Sequence, residues 1–84
     1  PMTIAQALRD RAAADPDLVL DVVINLSRLD DERLAALVGA GPRAPEPIVE
    51  FDQVAGSVRA GDLQDLDGVP GVVEISDASE QHAL

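Results

Sequence analysis

At 84 residues the chain is one small domain with room for a single modest core. Hydrophobic residues make up 46% of it, which excludes a disordered chain, and the aliphatic ones dominate: Phe51 is the lone aromatic. A net charge of −10, from 16 acids against six Arg and no Lys, repels phosphate backbones and anionic lipid, so neither nucleic acid nor a membrane is expected as a partner.

There is no Cys, hence no disulfide framework and no thiolate chemistry. No apolar run approaches the length of a membrane span. No signal peptide is visible. Met2 as the native start would make the protein cytoplasmic, and removal of a leader would make it secreted. With so few large apolar anchors, a partner is expected to supply part of the stability.

Thr3 and Gln6 fit a capping box, and Ile4, Leu8 and Ala12 share one helical face. This predicts a helix over 4–14, stopped by Asp15-Pro16. Leu18 to Leu26 predicts a strand: Leu20, Val22, Ile24 and Leu26 line an apolar face, and Val19, Asp21, Val23 and Asn25 a mixed one. Asp30 is the expected N-cap of the next helix, with Leu29 and Leu34 spaced as a hydrophobic staple. Leu34, Leu37 and Val38 form its stripe, and Gly39, Gly41 and Pro42 end it.

Residues 42–47 are rich in Pro and predict a stiff connector. Ile48 to Phe51 then predicts a strand, Asp52-Gln53 a hairpin turn, and Val54 to Ala60 the returning strand. Gly56 inside that strand predicts a bulge or a close approach of another backbone. Gly61-Asp62 opens a short helix carrying Leu63 and Leu66, and Val72 to Ile75 is the last strand.

The order is a helix followed by β-α-β-β-α-β. It predicts an α+β fold: a ferredoxin-like antiparallel sheet with helices on one face, plus an extra N-terminal helix. Residues 1–17 form that helix and its linker, 18–76 the domain, and 77–84 an extended tail. The extra helix has no expected role beyond covering the sheet's open face.

Catalysis finds no constellation to use. His82 is the only His and stands third from the end, where it cannot serve Ser27, Ser57, Ser76 or Ser79 as an oriented base. One His without Cys does not make a metal site, and the acid pairs Asp30-Asp31 and Asp62/Asp65 read as helix starts. Gly39-Ala40-Gly41 follows a helix and precedes Pro, the reverse of a phosphate loop. The expectation is therefore a protein that is not an enzyme and holds no cofactor or metal.

Val54-Ala55-Gly56-Ser57-Val58, Asp62-Leu63-Gln64-Asp65-Leu66, Val69-Pro70-Gly71-Val72-Val73-Glu74 and the closing His82-Ala83-Leu84 follow one another in an informative order. Together they resemble the C-terminal half of subtilisin propeptides and of the small stand-alone subtilase inhibitors of the same fold. Val22 to Leu26 and Leu34 to Leu37 are similar to that family's first strand and helix, so the likeness covers residues 18–84. The chain departs from the family in its Pro-rich linker, its N-terminal helix and a longer stretch from Glu74 to His82. The last of these leaves the register of the tail open.

The resemblance implies an inhibitor, or a propeptide-type chaperone, of a subtilisin-like serine protease. The outer sheet face would pack on two parallel surface helices of the protease. Glu74 and Asp77 would cap the N-termini of those helices. Gln81, His82, Ala83 and Leu84 would lie in the substrate cleft as an added strand, with Leu84 in the primary specificity pocket. An alternative of another class is a ferredoxin-like interaction or ligand-sensing module that forms a homodimer through its sheet edge. A third is a purely structural subunit.

Overall fold

A computed structural model describes residues 4–78. In chain order these form α1 (Gln6–Ala14), β1 (Val19–Leu26), α2 (Asp31–Gly39), β2 (Arg43–Ile48), β3 (Gln53–Arg59), α3 (Leu63–Asp67) and β4 (Val72–Asp77). One turn of 3-10 helix, Val49–Phe51, joins β2 to β3, and another, Ala60–Asp62, leads into α3.

The four strands make one sheet in the order β2-β3-β1-β4, with every neighbouring pair antiparallel. β3 is thus inserted between β1 and β2, and β1 between β3 and β4. That is the split arrangement of the ferredoxin-like α+β fold.

Alternation in β1 decides which face is buried. Leu20, Val22, Ile24 and Leu26 point to one side and are all buried. Val54 and Val58 of β3 and Ile75 of β4 join them. Leu37 of α2 and Leu63 and Leu66 of α3 close the core from above. Leu8 of α1, 0% exposed, belongs to the same cluster. All three helices therefore lie on one face, and α1 does not cover the open face as expected. Its one fully buried side chain is a core residue, and burial of that apolar surface decides where the helix sits.

Local details follow residue chemistry. Asp30 caps α2, its carboxylate accepting from the Arg33 N–H at 2.8 Å, and Leu29 and Leu34 pack against the core. α1 starts at Gln6 with Ala5 as its N-cap, two residues beyond the start that the expected capping box gives, and the Gln6 amide donates to Asp10 Oδ1 at 2.8 Å. Thr3 lies outside the described residues. At Val69–Val72 the Val72 N–H donates back to Val69 O, and Gly71 at the third position has φ +94°. This is the conformation that makes Pro-Gly a tight turn.

Two expectations are corrected around β2. The Pro-rich stretch is not a connector but the strand itself, paired Glu46 to Ala55, Pro47 to Val54 and Ile48 to Gln53. Pro lacks a ladder donor, but an edge strand tolerates this where its N points outward. Conversely, residues 49–51 are not a strand. Pairing of Ile48 with Gln53 leaves only 49–52 to close the hairpin, and four residues close it by a tight turn. Val49 and Phe51 stay largely exposed, Phe51 at 69%. The close approach expected at Gly56 is present: a Cβ there would stand 3.3 Å from the Arg43 carbonyl oxygen.

Candidate functional site: the open face of the sheet

Residues opposite each other in an antiparallel pair share a face, so the open face can be assembled row by row. Ile48, Gln53, Asn25 and Glu74 form one row across the four strands. Glu46, Ala55, Val23 and Ser76 form the next. Arg43, Ser57 and Asp21 form a third. The outer rows are polar but for Ile48, and each holds a side-chain hydrogen bond. Gln53 donates to Asn25 Oδ1 at 2.6 Å, and the Ser57 hydroxyl donates to Asp21 Oδ1 at 2.8 Å.

In the middle row Glu46 is followed by three smaller side chains. Val23 and Ser76 are 7% and 8% exposed, and Ala55 is half-buried between them and Glu46. Here the face dips. A shallow groove of about 320 Å³ runs over Ala55, Gly56 and Ser57, with Asp21 and Glu46 among its walls. It follows β3, floored by Ala55 and Gly56 and walled by Asp21 of β1 and by Ala44 and Glu46 of β2.

The two acids assigned to one task are placed on opposite faces. Glu74 is exposed at the end of the first row, on the open face. Asp77 lies opposite Val22, on the helix side, 6% exposed. Its Oδ2 is 3.0 Å from Arg11 Nη1 of α1. The cause is simple periodicity. β4 runs two residues further than expected, and positions three apart in a strand face opposite ways. Capping an outside helix with Asp77 would require breaking that ion pair. Gln81, His82, Ala83 and Leu84 lie outside the described residues.

Sequence reasoning missed Arg11 altogether. Its partner is 66 positions away, so no local spacing announces the pair. The parity of Glu74 and Asp77 was the available signal.

Among the described residues, both sheet edges are partly blocked. On β2, Pro47 opposite Val54 and Pro45 in the adjoining irregularity remove donors that an added strand would use. On β4, Ile4 forms a parallel bridge to Ile75, and the Ala5 N–H donates to Ile75 O at 2.9 Å. Among the described residues no three His, Cys, Asp or Glu side chains are grouped to hold a metal ion, and no helix is long and apolar enough to cross a membrane.

No family model, no curated protein and no solved structure matches the chain.

Proposed function

We propose that this chain inhibits a subtilisin-like serine protease, or chaperones its folding as a propeptide. It would dock through the open sheet face and offer its last residues to the cleft as a product. The observation that carries the reading is the sidedness of the sheet. Three helices occupy one face, while the other keeps a groove along β3 walled by Asp21 and Glu46, and Glu74 stands exposed on that face outside the groove. An exposed carboxylate at the end of the last strand suits the unpaired N–H groups and positive end of a partner's helix. The net charge of −10 favours a partner of complementary charge and speeds encounter with it.

A tail cleaved at the scissile position would stay bound as a product and leave the enzyme nothing further to cut. A rigid domain docked alongside raises the local concentration of that tail and lowers its ordering cost. The rival reading, a homodimer built by edge pairing, is disfavoured by Pro45 and Pro47 on one edge and Ile4–Ala5 on the other.

Inhibition constants against a panel of subtilisins test the proposal. Inhibition is expected to fall strongly when His82, Ala83 and Leu84 are deleted and to fall again with Ala55→Arg in the groove. Absence of inhibition across the panel, together with a dimer in sedimentation, would replace the inhibitor with a dimerising module.

A further inference from the structure

The carboxylates that wall the groove along β3 have no cation of their own. Ion pairs form elsewhere: Arg11 with Asp77, Arg28 and Arg33 with Asp30, and Arg59 with Asp17. Among the described residues Asp21 and Glu46 take part in none, although Arg43 stands in register with Ser57 on the same face. Both acids are exposed. The Ser57 hydroxyl donates to Asp21 Oδ1 and orients that carboxylate, while Oδ2 has no partner among the described residues.

Backbone geometry shapes the opposite wall. The pairing of β2 with β3 shifts register between Arg43 and Glu46, and Ala44 within that irregularity has φ +50°. A side chain in the left-handed region is strained, and a bulge of this kind re-aims the residues around it. Here it sets Ala44 and Glu46 against the groove.

We infer that this groove docks a basic segment of a partner protein, with one Lys or Arg against the Asp21 wall and another against the Glu46 wall. In the reading above that partner is the protease, and this part of the inference rests on it.

Charge and spacing decide the occupant. Neighbouring strands lie about 4.8 Å apart, so β1 and β2 stand about 10 Å apart across β3. Asp21 is opposite Ser57 and Glu46 opposite Ala55, which adds a stagger of about 7 Å along the strands. Cations set about 12 Å apart match that diagonal, about eight residues along a helix or four along an extended chain. A volume of about 320 Å³ is at the small end of ligand clefts and suits a few side chains entering from a larger surface. A second copy of the chain fits poorly: face to face, it would set Asp21, Glu46 and Glu74 against the same acids. A phosphate-bearing partner meets the same repulsion.

Titration of the full chain with the capped peptide Arg-Ala-Arg-Ala-Arg-Ala-Arg-Ala-Arg, followed by amide NMR shifts, tests the groove. Asp21, Glu46, Ala55, Gly56 and Ser57 are expected to move most, and a peptide with Glu in place of Arg should move none of them. Asp21→Asn with Glu46→Gln should weaken binding at least about fivefold. The amide at position 21 still accepts from Ser57, so the fold is kept. Asp65→Asn with Asp67→Asn removes the same charge from exposed positions of α3 and should change binding by less than about twofold. Equal losses in the two double variants, or shifts centred on the helix side, would reduce the effect to net charge and overturn the groove. A dimer of the parent whose interface covers Ala55 to Ser57 would overturn it too, by putting a second copy there.

Inhibition of a responsive subtilisin tests the partner. The substitutions in the groove are expected to raise the inhibition constant about three- to tenfold, and those on α3 less than about twofold. Equal effects would leave inhibition standing and overturn the protease as the source of the segment. A parent chain that inhibits no subtilisin would remove the proposed function, while the peptide titration still decides the groove.

Discussion

Asp52 holds Leu29 in place across the molecule: its Oδ1 accepts from the Leu29 backbone N–H at 2.9 Å. The Asp52 carbonyl accepts from the Leu26 N–H at the same distance, so one residue ties the β2–β3 hairpin to the loop between β1 and α2. Asp52 has φ +53°, the left-handed region that Asp and Asn tolerate best after Gly. Asp52→Ala would leave the part-buried Leu29 N–H without its acceptor and add backbone strain. A loss of about 2 kcal/mol in urea unfolding is expected. Asp52→Asn keeps an acceptor and the backbone preference, so it should unfold within about 0.5 kcal/mol of the parent.

Gly71 lies beneath Arg33. A Cβ there would stand 2.8 Å from Arg33 Nε and 3.0 Å from Cδ, and φ is +94°. Gly71→Ala should therefore cost about 1–3 kcal/mol, most of it backbone strain, since the flexible Arg33 side chain can shift aside. The check is to repeat the substitution in an Arg33→Ala background. Persistence of most of the loss there places the cost in φ; its disappearance would place it in the clash.

Asp30 gives stability an acid limb. The N–H of Arg33 donates to its carboxylate, and this bond is the largest effect; with the charge and side-chain hydrogen bond of Arg33 and the charge of Arg28 it outweighs desolvation, the second largest, and lowers the pKa below the ordinary 3.8. The folded state therefore holds the proton less tightly than the unfolded chain. Its contribution is complete above about pH 4 and is lost as pH falls through the depressed folded-state value. Melting temperatures of Asp30→Asn across pH 2–6 should show a shallower acid limb than the parent, because Asn caps without titrating. Parallel limbs would assign the acid sensitivity to other carboxylates.

Glu74 can be separated from the fold. It is exposed, and its carboxylate points to the open face. Glu74→Gln is expected to leave the melting temperature within about 1 °C, as surface changes do, while slowing association with the protease about two- to fivefold at low salt. The difference should shrink as ionic strength rises. A salt-independent effect would mean that Glu74 acts by shape and not by charge.

How far these features were legible depends on whether the signal was local. β1 could be read from the alternation of Leu20, Val22, Ile24 and Leu26, and the α2 start from Asp30 flanked by Leu29 and Leu34, because each pattern is written within ten residues. β2 could not. Pro45 and Pro47 argue against a strand until it is known to lie at an edge, and that depends on β3 inserting between β1 and β2. The apolar Val49 and Phe51 suggested the strand that the Pro residues occupy. In the candidate site, Glu74 and Asp77 enter together through the family resemblance alone, and only the full extent of β4, to Asp77, separates their faces. The side taken by α1 depends on Leu8 finding Leu20 and Leu63, and nothing in the first fourteen residues specifies it.

Leu8 therefore gives the sharpest test of the architecture. It is 0% exposed and sits in one cluster with Leu20, Val22, Leu63 and Ile75. Truncation to Ala removes its buried methyl groups and leaves a cavity between α1 and the sheet, at a cost of about 2–5 kcal/mol. Domains of this size are marginally stable, so that loss is expected to unfold much of the population at 37 °C. The surface variant Ala14→Ser, on the same helix but exposed, should change stability by less than about 0.5 kcal/mol. If α1 were an appendage packed outside the domain, Leu8→Ala would melt only the helix. Circular dichroism would then lose a small part of its signal while the sheet kept its midpoint. A single cooperative transition, shifted down as a whole, is the outcome that follows from a shared core.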